Sequence, residues 1–246
     1  MNYSKNDQQE IYIRNFLKLV QNTQTYISAQ NLSEVSFTLK PDGSPVSDLD
    51  LKIENFVSSQ VVMLLPEIQL IGEESEFPLE WHGSYLVIDP IDGTENFVSG
   101  IPIWGVGLAL ILNNQLVASW VHFPELSINV YSHLLKDFLD SLPKTLREPI
   151  GVTRVRGFSS NSDWNQEFSN LFGEIRVFGC SLFNILLAAH GAMRYKSSEN
   201  GVRIWDILPA ALIALENGKV VLVNGKDYRG EFLDPNFRYV VEIKTN

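Results

Sequence analysis

The stretch that most constrains this chain is Leu86-Val87-Ile88-Asp89-Pro90-Ile91-Asp92-Gly93-Thr94-Glu95-Asn96-Phe97. Its opening apolar run reads as a buried strand, and the strand ends in two carboxylates three residues apart. Pro90 has no N–H to donate and is expected to bar further ladder pairing. Gly93 lets the backbone approach a ligand closely and take dihedrals that other residues resist. Thr94 adds a hydroxyl, and the free amides of Gly93 and Thr94 are placed to open a helix, a favourable place for an anion. Carboxylates for a hard cation, followed at once by amides for a phosphate, form one chemical unit. The competing reading is a plain Asp-Pro/Asp-Gly turn with solvated acids, so the other acids of the chain have to decide.

Those acids recur at comparable places. Ile13, Phe16, Leu17, Val20 and Ile27 form the stripe of a first helix over residues 11–28. After the turn-rich segment Leu39 to Pro45, Leu49, Ile53, Phe56, Val57, Val61 and Leu64 mark a second helix. Ser47 is its predicted N-cap, paired with Asp50 in a capping box that uses Asp in place of Glu. Ile68 to Ile71 reads as a strand running into Gly72-Glu73-Glu74-Ser75. Trp104 to Leu112, an Asn113-Asn114 turn and Gln115 to His122 read as a hairpin, with a third strand near Ile128 to Tyr131.

Further strands are expected at 151–158, 175–178, 192–196, 220–223 and 238–243. Helices are expected at 162–172, after Gly179-Cys180-Ser181 as far as His190 with Gly191 as the stop, and from Ile207 to Leu215 with Asp206 at the N-cap. Residues 132–150 give no clear pattern beyond a short helix before Pro143. Strands alternating with helices around an antiparallel meander argue a mixed α/β fold. With no linker or repeat, residues 1–246 are read as one domain.

Composition removes several function classes. The chain has 246 residues, 45% of them hydrophobic, enough for a real core, and a formal net charge of -10. That charge argues against nucleic acid or an anionic membrane as partner. Cys180 is the only cysteine, so an intramolecular disulfide is excluded and a thiolate zinc site is disfavoured. The polar N-terminus and the lack of a long apolar run lead to the expectation of a cytoplasmic protein. His82, His122, His133 and His190 show no ligand spacing, and the tryptophans read mainly as core.

Asp50, Glu73, Asp89, Asp92 and Asp206 each close a strand or open a helix. Oxygen-rich sets of this kind suit Mg²⁺ rather than zinc, and several acids together can hold two or more such ions for an in-line displacement at phosphorus. A threonine beside an acid can orient a water and relay its proton. The reaction class this points to is metal-assisted phosphoester hydrolysis.

The segment from Asp89 to Phe97, with Gly72-Glu73-Glu74-Ser75 upstream and Trp205-Asp206 downstream, resembles the inositol monophosphatase family of Mg²⁺-dependent, lithium-sensitive phosphatases. Ser44-Pro45-Val46-Ser47-Asp48-Leu49-Asp50 is similar to the family's upstream segment, and the likeness runs from about residue 40 to about residue 224. The resemblance implies a layered α/β/α/β/α sandwich, frequently a homodimer, with two or three Mg²⁺ per site. It implies that Glu73, Asp89 and the Ile91 carbonyl hold a first metal, and that Asp89, Asp92 and Asp206 hold a second. A third, weaker metal position would involve Glu73, with Asp50 close by.

Glu73 and Thr94 would position the attacking water, with Asp50 hydrogen-bonded to Thr94, and Gly93 and Thr94 would donate amides to phosphate. Gly179-Cys180-Ser181 would line the substrate pocket through Ser181, and Glu199 would bind substrate hydroxyls. Glu95 beside the phosphate loop, Asn217-Gly218-Lys219 after the last helix and the short 132–150 region depart from the family's pattern. The expected substrate is a small phosphorylated polyol such as inositol 1-phosphate. A 3′(2′),5′-bisphosphate nucleotidase and a catalytically silent binding member are the alternatives.

Overall fold

The computed structural model describes residues 5–75, 83–132, 150–152 and 175–244. Two long amphipathic helices open the chain, α1 (Lys5–Ser28) and α2 (Asp48–Leu64). α1 begins at Lys5, ahead of the start at residue 11 that its apolar stripe suggests. Ser47 caps α2 as its sequence suggests: its Oγ accepts from the Asp50 amide at 3.3 Å, and Asp50 Oδ2 accepts from the Ser47 amide at 2.9 Å. Between the helices, β1 (Phe37–Leu39) pairs antiparallel with β2 (Pro45–Ser47), so the turn-rich segment is the tip of a small hairpin. Strands of three residues are too short for periodicity to reveal.

The central sheet has the order β3 (Gln69–Gly72), β4 (Tyr85–Asp92), β5 (Gly105–Leu112), β6 (Gln115–Phe123) and β7 (Ile128–Tyr131). β3 and β4 run parallel and the rest form an antiparallel meander. Asn113 and Asn114, with φ of 51° and 63°, make the left-handed two-residue turn that an antiparallel hairpin favours. Every residue of β4 and β5 is buried. Tyr85 and Val87 face one core while Leu86 and Ile88 face the other, as the two-residue period of a strand covered on both sides requires.

Pro90 does not end β4, contrary to expectation. The strand continues to Asp92, but its register on β5 slips from Asp89↔Gly107 to Asp92↔Gly105. Three steps on β4 therefore match two on β5, a bulge that accommodates a residue with no N–H to offer. In a regular strand, side chains three positions apart leave opposite faces. The bulge lets Asp89 and Asp92 converge.

A second sheet has the order β12 (Lys226–Asp227), β11 (Val220–Val223), β13 (Val241–Lys244), β10 (Arg194–Lys196), β8 (Ile150–Val152) and β9 (Ile175–Arg176). Two helices fill the space between the sheets, α4 (Ser181–His190) and α5 (Leu208–Glu216); the short α3 (Thr94–Val98) follows β4. α1 and α2 cover the outer face of the central sheet. The described layers run α/β/α/β, four of the five layers of the α/β/α/β/α sandwich that the resemblance implies. The helix expected at 162–172 and most of the 132–150 region lie outside the described residues. Gly191 closes α4 in the left-handed conformation at φ 89°. The last strand is shorter than expected: Tyr239 makes only an isolated bridge to Val202 before β13 begins. Among the described residues, no helix is long and apolar enough to cross a membrane.

Gly107 sets how closely the inner helices approach the sheet. A Cβ there would lie 2.6 Å from Leu182 Cδ1 and 2.8 Å from Pro209 Cβ, in the first turns of α4 and α5. Gly107→Ala is therefore expected to destabilise the fold by about 1–3 kcal/mol through overpacking. A urea titration would show this as a lower midpoint with an unchanged slope, and a midpoint equal to that of the parent protein would contradict the close packing.

Candidate active site

At the bulged end of β4, Asp89, Asp92 and Asp206 each offer a carboxylate oxygen, and these atoms lie within 4.8 Å of one another. Asp89 is fully buried, and both its oxygens lack a hydrogen-bond partner among the described residues. Asp92 is held firmly. Its Oδ2 accepts from the Leu182 amide at 2.5 Å and from Cys180 Sγ at 3.1 Å. Cys180, the N-cap of α4, makes no capping bond of its own, so an acid from the sheet satisfies the free helix amide instead. Asp206 Oδ2 accepts from the Arg203 amide at 2.7 Å. Asp206 is not the N-cap of α5, as its sequence position suggested; Ile207 occupies that place, and the Asp206 carboxylate is left directed to the cluster and the Arg203 turn.

Burial, and then mutual repulsion, raise these carboxyl groups well above their ordinary range. Burial lifts Asp206 to about 7, with repulsion from Asp92 next, while Arg203 and Arg238 pull it the other way. Asp92 is raised to about 6, chiefly by burial, although its bonds to α4 oppose the shift. Asp89 is raised well above its ordinary range, first by burial and then by Glu73, Asp92 and Asp206. Unpartnered, converging carboxylate oxygens fit a hard divalent cation, which supplies the missing positive charge.

Glu73, at the end of β3, stands outside that tight set. Its Oε1 lies 3.1 Å from Lys40 Nζ, and Glu74 Oε1 lies 2.5 Å from the same amine. Lys40 comes from the tip of the β1–β2 hairpin, so the hairpin delivers a cation to the strand-end acids. Burial and the repulsion of Asp206 raise Glu73 to about 8 despite that amine. Glu54 of α2, only 3% exposed, fixes the loop from behind: it accepts from the Glu74 amide at 3.0 Å and from the Ser75 hydroxyl. Gly72 leaves room for it, since a Cβ there would collide with the Glu54 carboxylate at 2.3 Å.

Thr94 Oγ1 donates to the Ile91 carbonyl at 2.8 Å and lies 3.3 Å from Asp50 Oδ1. Burial raises Asp50 to about 6, against the bonds from Ser47 that lower it. Gly93 has φ 87°, and a Cβ on it would press on the Ile103 and Gly179 carbonyls and on Cys180 at 3.1–3.2 Å. Asn96 ties this loop down through Nδ2, which donates to the Ile103 and Phe178 carbonyls at 2.7 and 2.6 Å.

Two adjoining cavities open here. One of about 540 Å³ is lined by Ser44, Glu73, Gly93, Thr94, Glu95 and Gly179 among others. The second, about 580 Å³, includes Lys40, Glu73, Asp92, Ser181, Arg203, Asp206 and Arg238. Ser181 thus lies on the cavity. Glu199 does not: Ser198, Asn200 and Gly201 line the wall, while the Glu199 side chain is 64% exposed and sits 3.9 Å from Lys196. Lys40, Glu54, Asn96, Arg203 and Arg238 were not singled out from sequence. Lys40 and the Asp42-Gly43 turn beside it carried the one usable signal, a cation at a hairpin tip just ahead of the acid-rich helix start.

The sequence profile of the inositol monophosphatase family matches residues 13–243. Histidinol-phosphatase of Mycobacterium tuberculosis is 27% identical over 194 residues, covering 73% of this chain and 74% of that protein. The 3′(2′),5′-bisphosphate nucleotidase CysQ of Aggregatibacter actinomycetemcomitans is 24% identical over 253 residues, covering 92% and 91%. A solved IMPase/NADP phosphatase complexed with Mg²⁺ and phosphate superposes with a TM-score of 0.73 at 18% identity, over 96% of this chain and 90% of that one. With a match over almost the whole chain and a shared fold, the protein belongs to the inositol monophosphatase family, a family of phosphoric monoester hydrolases.

Proposed function

We propose that this protein is a Mg²⁺-dependent phosphomonoesterase acting on a small phosphorylated metabolite. The observation that carries the reading is Asp89, whose two buried oxygens lack partners in a three-carboxylate cluster beside the Gly93–Thr94 loop. Glu73, Asp89 and the Ile91 carbonyl would hold one ion, and Asp89, Asp92 and Asp206 a second. A third, weaker position would involve Glu73. When bound, Mg²⁺ supplies Lewis-acid polarisation of the phosphoryl group and compensates the clustered charge.

The remaining work falls to the chain itself. The Gly93 and Thr94 amides would receive the phosphate oxygens. The Thr94 hydroxyl has one proton and two acceptors, Ile91 O at 2.8 Å and Asp50 Oδ1 at 3.3 Å. Donation to Asp50 leaves its lone pairs free to accept from the attacking water, which Glu73 would orient from the other side. Asp50, lifted only to about 6, is ionised near neutral pH and able to accept that hydrogen bond. Lys40 would hold Glu73 in place through the 3.1 Å contact.

A phosphorylated polyol such as inositol 1-phosphate is the first substrate reading, with Ser181 on the cavity wall. The hydroxyl-binding role expected of Glu199 draws no support, because its side chain turns to solvent and Lys196. That placement favours the second reading, a 3′(2′),5′-bisphosphate nucleotidase, whose substrate needs no carboxylate at this wall.

Purified protein with Mg²⁺ is expected to release phosphate from at least one of inositol 1-phosphate and adenosine 3′,5′-bisphosphate, and Asp92→Asn to abolish release while the circular dichroism spectrum stays unchanged. Near-parental turnover by that variant would remove Asp92 from the site. Thr94→Ala is expected to lower kcat by about 10²–10⁴-fold, the usual weight of acid–base assistance, with a much smaller change in KM; equal losses in both would point to phosphate binding alone.

The acid cluster also makes a prediction free of turnover. Folded pKa values raised above the unfolded ones mean that the metal-free protein is most stable below about pH 4 as far as these groups are concerned. It should lose that contribution as pH rises through about 6 for Asp50 and Asp92, 7 for Asp206 and 8 for Glu73. Mg²⁺ should therefore raise Tm more at pH 8 than at pH 5, and an equal or reversed effect would count against carboxylate ligation.

A further inference from the structure

The larger cavity carries cations as well as acids. In a chain of net charge -10, Lys40, Arg203 and Arg238 all line it. Lys40 is occupied by Glu73 and Glu74. The arginines are different: among the described residues neither lies within ion-pair distance of a carboxylate. Both are anchored to backbone instead. Arg203 Nη1 donates to the Pro235 and Asn236 carbonyls at 3.2 and 2.9 Å, and its guanidinium carbon lies 5.8 Å from the Trp205 ring centroid. Arg238 Nη1 donates to the Gly201 carbonyl at 3.3 Å.

Each arginine is thus fastened to the segment that carries the other. The mutual Val202–Tyr239 backbone bonds, 2.9 Å each way, lock the two segments together. These contacts use Nη1 alone, and the other guanidinium N–H groups remain for a ligand. Asp206 lines the same cavity and is drawn to both arginines, while the Glu199 side chain is turned to solvent and Lys196 and adds no further acid there.

Charge balance separates the possible substrates. Two divalent cations would neutralise Glu73, Asp89, Asp92 and Asp206, so the arginines are not needed to offset those acids once metal is bound. Their planar, preorganised forks match phosphate or carboxylate. A neutral polyol gains nothing from them, an ammonium-bearing alcohol is repelled, and an anionic leaving group is attracted.

We infer that Arg203 and Arg238 form a second anion subsite, which takes a phosphate or carboxylate carried by the leaving-group part of the substrate. The inference rests on the phosphomonoesterase reading for its reaction but not for its binding chemistry.

The test compares four phosphomonoesters with Mg²⁺: adenosine 3′,5′-bisphosphate, 2-phosphoglycerate, inositol 1-phosphate and histidinol phosphate. Their leaving groups carry a phosphate, a carboxylate, no charge and an ammonium. The parent protein is expected to favour one of the two anionic arms by at least about tenfold in kcat/KM over the neutral ester, and which arm wins identifies the anion. Arg238 is exposed, so Arg238→Gln tests the subsite without disturbing the core. It should reduce that preference about tenfold, mainly through KM, and make it less sensitive to salt.

A preference for the neutral or cationic ester, or an unchanged ratio in the variant, overturns the subsite. Binding is read separately as the rise in Tm on adding adenosine 3′,5′-bisphosphate or 2-phosphoglycerate with Ca²⁺. A rise that shrinks in Arg238→Gln supports the subsite even where no ester is hydrolysed, an outcome that would instead sink the phosphatase reading. No rise with either compound, or one equal in both proteins, rejects the subsite whatever the turnover.

Discussion

The structure depends on a repulsion that it does not relieve by itself. Asp89 is fully buried with two unpartnered oxygens, and oxygens of Asp89, Asp92 and Asp206 lie within 4.8 Å of one another. Burying a carboxylate is costly unless it is paired or bound to a cation. Among the described residues nothing separates these groups or gives Asp89 a donor. A fold that keeps such a cluster together does so against its own stability, and the large central sheet with packed layers on both faces is what makes that cost bearable.

The surrounding elements hold the acids rather than neutralise them. The bulge at Pro90 turns Asp92 to the same side as Asp89. The amide of Leu182 then fixes Asp92, so one bond both caps α4 and aims a carboxylate. The Arg203 amide likewise fixes Asp206, in the turn before α5 and without capping that helix. Glycines at 72, 93 and 107 clear the space these contacts need. Because the helices that complete the site also fill the gap between the sheets, packing and site geometry are one problem here.

Positive charge reaches the site from its margins. Lys40 arrives on a two-stranded hairpin and meets Glu73, while Arg203 and Arg238 are fastened across the Val202–Tyr239 bridge. The acids come from strand ends and helix starts, positions set by the framework. The cations come from loops, which are the parts of a fold free to vary with the molecule being recognised. On the proposed reading, chemistry and selectivity fall to different parts of the chain.

Much of this was legible in the residues themselves. The apolar run before Asp89, the Ser47–Asp50 capping box, the Asn113-Asn114 turn and Gly191 all act locally, and local sterics and hydrogen bonding decide such features within a few residues. The clustered acids were legible as a set because each closes a strand or opens a helix. Other features were beyond local reading. Pro90 shifts the register of β4 instead of ending it, since the neighbouring strand can absorb one extra residue. Asp206 looked like a cap, but its partner is the Arg203 amide and the helix begins one residue later.

Glu199 has a sequence position that suggested a substrate contact, yet only packing decides which way its side chain points, and here it points out. Glu54, Arg203 and Arg238 matter through contacts that span 20 to 37 positions in the chain. Most helices and strands, and the acidic character of their ends, follow from short-range pattern and residue type and can be read residue by residue. Which charges meet and which stay unpaired depends on how distant segments pack, and only the folded chain shows it.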